Sequence, residues 1–282
     1  MPLADVFSLL VLGQGKSGLD VARWALAHPE RVSAVTVYGG GTSEPNDATR
    51  ALEAAGASFV YGTEQVEGAY DVCVTCPGIS EFSGFFKAGR EHAAQIMGEP
   101  EFAYRLSPDN WIAITGTNGK TTTTSLVYRI LRDAGCNVAL GGNIGESFAY
   151  SVATGRYDWH VLELSSFQLD GMFRFRADIG VLTNITPDHL DRYDHSFAKY
   201  AAAKMRIAQN QRAGDYFIYS ADDETIWSLL PSYRLPQRQL PFAARAAVAG
   251  SDGDAFLSRD GRFTAAVGDR SVEIDTRRMR IG

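Results

Sequence analysis

Short apolar runs alternate with segments of helical periodicity through the first third of the chain. Four runs are continuous enough to predict buried strands: Val6–Leu12, Val32–Tyr38, Ser58–Tyr61 and Tyr70–Thr75. Three segments carry apolar residues at helical spacing and predict helices: Leu19–Leu26, Ala48–Ala55 and Glu99–Leu106. The alternation of strand, turn and helix predicts an α/β fold with a doubly wound, Rossmann-like parallel sheet.

The pattern restarts after Ser107–Asn110, a polar break that contains a proline. We therefore predict two domains, residues 1–107 and residues 108–282. Five further strands are expected at Trp111–Thr115, Val138–Leu140, Trp159–Leu164, Ile179–Asn184 and Tyr216–Ser220. Helices are expected at Lys120–Ala134 and Phe197–Gln209, and short β-like runs at Phe263–Val267 and Arg270–Ile274.

Composition supports a globular protein of about two domains. The chain has 282 residues, of which 45% are hydrophobic and 21% charged, which excludes a disordered chain or a coiled coil as its general description. The net charge of −6 argues against nucleic acid as the main partner, because phosphate-backbone binding needs a basic surface. The Val6–Leu12 run is too short to span a membrane, and no basic segment precedes it. We expect a cytoplasmic protein with no membrane partner.

The three cysteines cannot all pair with one another. Cys73 and Cys76 form a C-x-x-C inside an apolar run, whereas a redox pair normally opens a helix and a zinc site needs a second pair. Inert thiols are the favoured interpretation, in keeping with the cytoplasm.

A glycine loop, Gly13-x-Gly15-x-x-Gly18, lies between the first strand and the first helix. Such a loop lets backbone amides approach a phosphate at a helix N-terminus. A dinucleotide site would also need an acidic residue at the end of the second strand, but that strand ends in Tyr38 and three glycines, and the next acid is Glu44. A nucleotide-diphosphate site without hydride chemistry is therefore favoured over a dehydrogenase site or a purely structural turn.

A second glycine loop, Gly116-Thr-Asn-Gly-Lys-Thr-Thr122, follows the strand that ends at Thr115. Its expected chemistry is backbone amides around phosphate oxygens, Lys120 on the β- and γ-phosphates and the Thr121 hydroxyl on magnesium. The loop is two residues shorter than the usual phosphate-binding pattern, which would need glycine at Ile114. A chance Gly-Lys-Thr turn is the alternative, which the strand–loop–helix context disfavours.

Three downstream residues could complete such a site. Glu163 lies near the end of a strand, where ligands bind in these sheets, so it could be a metal ligand or a buried structural acid. His189, between Asp188 and Asp191, could be a ligand, an acid or base, or a capped surface histidine. Lys204 lies on the apolar stripe of its helix, where it needs an anion partner or a depressed pKa unless it reaches water along its stem.

Together these residues resemble the Mur ligases, ATP-dependent amide-bond-forming enzymes of peptidoglycan synthesis. The matching stretches follow one another along nearly the whole chain: Gly13–Gly18, Thr75–Ile79, Ile114–Thr121, Gly141–Gly145, Glu163–Leu169, Asn184–Tyr193 and Ala203–Ile207. The stretch Glu163-Leu-Ser-Ser-Phe-Gln-Leu169 resembles the sequence found at this position in the branch of the family that adds D-glutamate.

The resemblance implies a reaction, its cofactors and its site residues. ATP would phosphorylate the carboxylate of UDP-MurNAc-L-Ala, and the amine of D-glutamate would displace phosphate through a tetrahedral intermediate. Residues 116–122 would bind ATP, and Lys120, His189 and Lys204 would be catalytic. Two Mg²⁺ ions would be held by Thr121, Glu163, His189 and Lys204, the last as a carbamate.

The resemblance implies a Rossmann-like domain over residues 1–107 that binds the UDP substrate and a P-loop-type α/β domain over residues 108–282 that binds ATP. It also implies which residues contact the UDP-sugar. The residues concerned are Gly15, Lys16, Ser17, Cys76, Pro77, Gly78, Asn143, Ser165, Gln168 and His189. Tyr38 and Gly39 stand where the family has an acid and a threonine that contact uracil, so uridine recognition must differ in detail. The protein is expected to be a monomer.

The family continues past the position of Gly282 into a Gly-x-His-Asn-x-x-Asn motif and a third domain. The expectation is therefore a truncated chain that binds substrate but has little activity by itself. Two alternatives stay open, a non-catalytic nucleotide-binding module and a ligase similar to folylpolyglutamate synthase. The Rossmann-like domain before the phosphate loop disfavours the second.

Overall fold

The computed structural model describes residues 2–107, 109–243, 255–257, 262–267 and 270–275. Pro108, at the predicted domain boundary, and residues 276–282 lie outside the described residues. The described helices are α1 (Lys16–Ala27), α2 (Asp47–Ala54), α3 (Gly84–Glu91), α4 (Glu99–Leu106), α5 (Lys120–Asp133), α6 (Phe148–Thr154), α7 (Ser166–Asp170), α8 (Phe197–Met205) and α9 (Glu224–Leu229).

The described strands form two sheets. The first has the strands β1 (Phe7–Leu12), β2 (Val32–Tyr38), β3 (Ser58–Val60), β4 (Tyr70–Thr75) and β5 (Ala93–Gly98). They lie in the order β3-β2-β1-β4-β5, and every neighbouring pair is parallel. The central strand β1 is almost completely buried, as expected for a parallel sheet covered on both faces.

The second sheet is larger and mixed. Its strands are β6 (Asn110–Thr115), β7 (Val138–Gly142), β8 (Trp159–Glu163), β9 (Ile179–Leu182), β10 (Tyr216–Ser220), β11 (Arg238–Ala243), β12 (Ala255–Leu257), β13 (Arg262–Val267) and β14 (Arg270–Asp275). Among the described residues their order is β14-β13-β12-β11-β10-β9-β6-β8-β7. Four neighbouring pairs are parallel: β6 with β9, β9 with β10, β10 with β11, and β11 with β12. Two pairs are antiparallel: β12 with β13, and β13 with β14.

The α/β class with two largely parallel sheets, predicted from the sequence, is confirmed. The chain forms two compact units, one of residues 1–109, 134–160 and 167–175, the other of residues 110–133, 161–166 and 176–282. The assignment of residues 1–107 and 108–282 to substrate and ATP domains stays a prediction. No helix in the described part of the chain is long and apolar enough to cross a bilayer.

One predicted helix is shorter in the structure. The segment expected to be helical over Phe197–Gln209 is α-helical only to Met205 and continues as a 3₁₀ turn over Arg206–Ala208. The tighter turn satisfies carbonyl groups that the last turn of an α-helix leaves without partners.

Buried acids on α4 hold other segments of the first unit in place. The Glu101 carboxylate is fully buried and accepts the backbone N–H groups of Phe173, Arg174 and Phe175. Its Oε1 also lies 2.7 Å from a guanidinium nitrogen of Arg105. Glu101 therefore fixes the loop that follows α7, because five hydrogen-bond donors of that region would otherwise lose their acceptor.

We expect Glu101→Ala to destabilise the protein by about 3–5 kcal/mol, since it leaves the Arg105 charge and three amides without their acceptor. The matched control is Glu91→Ala at the exposed end of α3, which should change the free energy of unfolding by less than about 0.5 kcal/mol. Chemical denaturation of both variants measures the difference. Equal losses in the two variants would contradict the role of Glu101.

Candidate functional site

The second glycine loop joins β6 to α5 and turns sharply at two glycines. Gly116 and Gly119 have φ angles of 148° and 80°, a region that side chains rarely adopt. A Cβ on Gly116 would lie 1.9 Å from the Thr183 hydroxyl oxygen. Glycine is therefore needed at residue 116 both for its backbone angle and for the close approach of the neighbouring segment.

The segment after β9 holds this loop from one side. The Thr117 amide donates to the Asn184 carbonyl at 2.9 Å, and the Asn118 amide donates to the Asn184 side-chain oxygen at 2.9 Å. The Thr183 hydroxyl donates to the Asn118 carbonyl at 2.7 Å. Thr183 was not among the predicted site residues, although a polar residue just past a parallel strand is a signal that could have found it.

Thr121 and Glu163 are brought together in the second unit. The Thr121 hydroxyl donates to Glu163 Oε2 at 2.8 Å, and Glu163, at the end of β8, is 1% exposed. A hydroxyl and a carboxylate oxygen are the donors that Mg²⁺ prefers. Across the described residues, no group of three or more His, Cys, Asp and Glu side chains is arranged to hold a metal ion, so this pair would need ligands of another kind.

Lys204 ends inside the loop and not in solvent. The side chain is 2% exposed, and its Nζ donates to the Gly116 carbonyl at 2.7 Å. The Nζ also lies 4.7 Å from the centre of the Tyr200 ring, whose hydroxyl is 3.1 Å from Thr117 Oγ1. This geometry excludes the alternative in which the Lys204 amine extends along its own side chain into water. Tyr200 is a second residue that the sequence reasoning missed, because its place on the apolar stripe suggested only a core role.

The charge of Lys204 is disfavoured by its surroundings. Burial, and next the positive charge of Lys120, lower the pKa of Lys204 to about 7, while Asp188 acts in the opposite direction. The Lys120 Nζ donates to the Thr117 carbonyl at 2.9 Å. Two lysine side chains therefore converge on the carbonyl side of one loop, an arrangement suited to a ligand with several negative charges.

His189 lies at the surface in a strained backbone conformation. Its φ angle is 48°, and Asp194 and His195 in the same stretch are also left-handed. Its amide donates to Asp188 Oδ1 at 2.9 Å, and its side chain is 61% exposed. Non-glycine residues seldom adopt this conformation, although histidine does so more often than most, and strained residues of this kind cluster at functional sites. A ligand role for His189 stays a prediction.

The first glycine loop wraps around the thiol of Cys76. A Cβ on Gly18 would lie 2.1 Å from the Gly13 carbonyl oxygen and 2.9 Å from Cys76 Sγ. The Gly15 and Gly18 amides direct hydrogen bonds to Cys76, yet burial dominates and raises the pKa of its thiol to about 12. Burial also raises the pKa of Cys73, and both cysteines are free. Neither thiol is poised for redox chemistry.

The end of β2 contains no acidic side chain. Tyr38 is 4% exposed, and its hydroxyl accepts the Glu67 amide at 3.0 Å. Glu44, the next acid, meets the loop through its backbone carbonyl, which accepts from the Gln14 side-chain amide at 3.1 Å. The acidic ribose ligand of dinucleotide enzymes is thus missing at this strand end.

The predicted sugar-nucleotide residues are divided between the units. The first unit contains those of the glycine loop and its neighbours, namely Gly15, Lys16, Ser17, Cys76, Pro77, Gly78, Asn143 and Gln168. Ser165 and His189 belong to the second unit. Gln168, on α7, is 4% exposed. Their shared role in one substrate stays a prediction.

Comparison with known proteins points to one family. Residues 114–253 match the family described as Mur ligase middle domain. A protein of Bacteroides fragilis named UDP-N-acetylmuramoylalanine--D-glutamate ligase is 44% identical over 239 residues, covering 84% of this chain and 53% of that protein. A protein of Christiangramia forsetii with the same name is 49% identical over 173 residues, covering 61% of this chain and 39% of its own length. The chain spans about half the length of the curated relatives that it matches.

Solved structures show the same fold at low sequence identity. A ligase from Neisseria meningitides, described as UDP-N-acetylmuramate:L-alanyl-gamma-D-glutamyl-meso-diaminopimelate ligase, has a TM-score of 0.58 and 16% identity, with 98% of this chain and 89% of that one covered. A murein peptide ligase from Psychrobacter arcticus has a TM-score of 0.56 and 19% identity, with 95% and 61% covered.

We expect the stability of the native protein to rise relative to Lys204→Met as the pH increases from 7 to 10. The folded pKa is about 7 and the unfolded value is near 10.4, so the unfolded state binds more protons in this interval and folding is favoured as protons are removed. The gain is at most about 1.4 kcal/mol for each pH unit.

The measurement is chemical denaturation in buffer freed of carbon dioxide. Lys199→Met on the same helix is the control, because Lys199 is exposed and pairs with Asp194. A difference between native protein and Lys204→Met that stays flat from pH 7 to 10 would contradict the prediction.

Proposed function

The chain belongs to the Mur ligase family, and on this premise we propose that the protein adds D-glutamate to UDP-MurNAc-L-Ala in an ATP-dependent reaction of peptidoglycan synthesis. The observation that carries the proposal is the second glycine loop, in which Thr121 pairs with Glu163 and the Gly116 carbonyl accepts the buried amine of Lys204. The names of the relatives at 40–49% identity support D-glutamate as the amino acid that is added.

The proposed reaction has two steps. A carboxylate oxygen of UDP-MurNAc-L-Ala attacks the γ-phosphorus of ATP, and ADP leaves. The D-glutamate amine then attacks the acyl carbon, and the tetrahedral intermediate expels phosphate as the amide forms and the amine loses a proton. Both steps place negative charge on phosphoryl and acyl oxygens, which positive groups and backbone amides stabilise.

Residues 116–122 are the proposed ATP-binding segment. Their role would be to place backbone N–H groups around the phosphates at the start of α5. Lys120 would exchange its hydrogen bond with the Thr117 carbonyl for the γ-phosphate, a stronger charged acceptor. The loop's contacts with Thr183 and Asn184 would keep it in place before ATP arrives.

The chemistry of Thr121 and Glu163 fits a magnesium ion. One hydroxyl and one carboxylate oxygen lie 2.8 Å apart at a strand end, and both are hard oxygen donors. Mg²⁺ bound there would neutralise phosphate charge. His189 and Lys204 are the proposed protein ligands for a second ion. A protonated lysine cannot bind a cation, so Lys204 would have to change its chemical form.

Carbamylation would make that change. The neutral Nζ of Lys204 attacks the carbon of CO₂, a nitrogen–carbon bond forms, and one proton leaves to water. The pKa of about 7 supports the proposal, because near neutral pH a large fraction of this amine is unprotonated. The product is a carboxylate-like anion suited to Mg²⁺.

The first unit is proposed to hold the UDP portion. Gly15, Lys16 and Ser17 would bind the diphosphate at the start of α1, with Cys76, Pro77 and Gly78 beside them. Four more residues are proposed to contact the sugar or its alanine: Asn143, Ser165, Gln168 and His189. We propose a cytoplasmic monomer, a compartment supported by the three free thiols.

We expect UDP-MurNAc-L-Ala to bind this chain with measurable heat in titration calorimetry, because the residues proposed to hold its UDP and sugar are present. UDP-N-acetylglucosamine, which lacks the lactyl-alanine group, is the matched control and should bind at least about tenfold more weakly. Equal affinities, or heat from the control alone, would contradict the substrate assignment.

We expect ¹³C-labelled bicarbonate to give a carbamate resonance in the NMR spectrum of the native protein. The signal should be absent in Lys204→Arg, which keeps a cation but has no neutral amine, and unchanged in Lys199→Arg. It should weaken as the pH falls below 7, because protonation removes the nucleophile. A signal that persists in Lys204→Arg would place the carbamate elsewhere.

A further inference from the structure

We propose that Glu146 competes with the diphosphate of the nucleotide substrate for the ammonium group of Lys16, and so sets how tightly the first glycine loop binds that diphosphate. The inference rests on the proposed function, which places a UDP-sugar at this loop. The residues proposed so far for this site all raise its affinity for the diphosphate. Glu146 would be an acidic residue that lowers it.

Lys16 is already engaged with a neighbouring loop. Its Nζ lies 2.9 Å from Glu146 Oε2 and donates to the Gly145 carbonyl at 2.8 Å. The two side chains are 58% and 52% exposed, so the pair is open to solvent and to a ligand. Lys16 is the first residue of α1 and follows Gly15 directly. The lysine nearest to the proposed diphosphate site therefore carries a carboxylate partner.

The start of α1 is otherwise open to an anion. No side chain caps the helix at Gly15, and the first turn contains no acidic residue. The positive end of a helix favours negative charge. The Glu146 carboxylate is linked to this helix end through its contact with Lys16.

Hydrogen bonds fix the backbone around Glu146, so that its side chain is held near Lys16. The Gly142 amide donates to the Glu146 carbonyl at 3.1 Å, and Gly142 and Gly145 adopt the φ angles of 98° and 71° that this turn requires. The next residue, Ser147, donates its hydroxyl to Asp20 of α1 at 2.7 Å, and Asp20 is 2% exposed. The loop is therefore closed on itself between Gly142 and Glu146 and is tied to α1 through Ser147.

Exchange of the Glu146 carboxylate for a diphosphate on Lys16 is favourable because the Lys16–Glu146 ion pair is weak. An ion pair exposed to water on both sides contributes little to stability. A diphosphate bears more charge than one carboxylate and would also meet the amides at the start of α1. Binding must nevertheless break the Lys16–Glu146 contact. Removal of the carboxylate should therefore raise affinity for the diphosphate by roughly two- to fivefold.

The same loop carries Asn143, which is proposed to contact the substrate. Release of Lys16 from Glu146 and from the Gly145 carbonyl would break two contacts of that loop at the moment the diphosphate binds. The inference thus links occupancy of the diphosphate site to the segment that presents Asn143, within a single unit of the chain.

Titration calorimetry with UDP tests the proposal in the native protein and in Glu146→Gln. Glu30→Gln is the matched control, because it removes the same charge from an exposed position beyond the other end of α1. Glu146→Gln should bind UDP roughly two- to fivefold more tightly than the native protein, and Glu30→Gln should be unchanged. Uridine, which has no phosphate, should bind all three proteins equally.

The variants Lys16→Met and Lys16→Met/Glu146→Gln complete the cycle. In the Lys16→Met background the second substitution should have no effect on UDP affinity, because Glu146 acts through Lys16. An equal gain in both backgrounds would show general repulsion and overturn the proposal, as would unchanged or weaker binding by Glu146→Gln. If the native protein does not bind UDP, the proposed function is overturned together with this inference. If it binds UDP and only the effect of Glu146→Gln is missing, this inference alone is overturned.

Discussion

The hydrogen bond from the Lys204 amine to the Gly116 carbonyl is the interaction on which the second unit's site depends. It places a titratable nitrogen inside the second glycine loop and away from water, where the lysine charge is costly. The loop accepts this contact because Gly116 adopts a backbone conformation closed to other residues and lies against Thr183. Burial at this position, and next the positive charge of Lys120, lower the pKa of Lys204 to about 7.

In the first unit, buried carboxylates hold loops and helix ends in place by accepting their hydrogen bonds. Asp20 of α1 accepts the Ser147 hydroxyl, and Glu99 at the start of α4 accepts the Ala149 amide at 2.6 Å, so two acids hold the beginning of α6. Burial raises the pKa of Glu99 to about 8 in spite of that hydrogen bond. Glu101 holds the loop after α7 in the same way. Segments distant in sequence are thereby fastened to helices α1 and α4, and with them the loop that carries Asn143.

The strands of the core could be predicted because each is an apolar run bounded by turns, and the structure confirms β2, β4 and β10 to the residue. The elements that were missed lack this signal. The strand β5 is Ala-Ala-Gln-Ile-Met-Gly, with a single β-branched residue, and it is a strand because it pairs in parallel with β4. The helices α3 and α6 are short, and their best local sign was the serine before each, whose hydroxyl accepts an amide of the first turn.

The sequence by itself determined the two glycine loops, the order of strand and helix around them and the family, because these depend on residue type and spacing along one chain. It also placed Lys204 on the inward stripe of its helix. Only the tertiary structure decided that its amine ends on the Gly116 carbonyl, that Thr121 meets Glu163, that His189 lies at the surface and that Lys16 is held by Glu146. These facts concern burial and direction, and both arise when segments far apart in sequence pack together, which a local pattern does not encode.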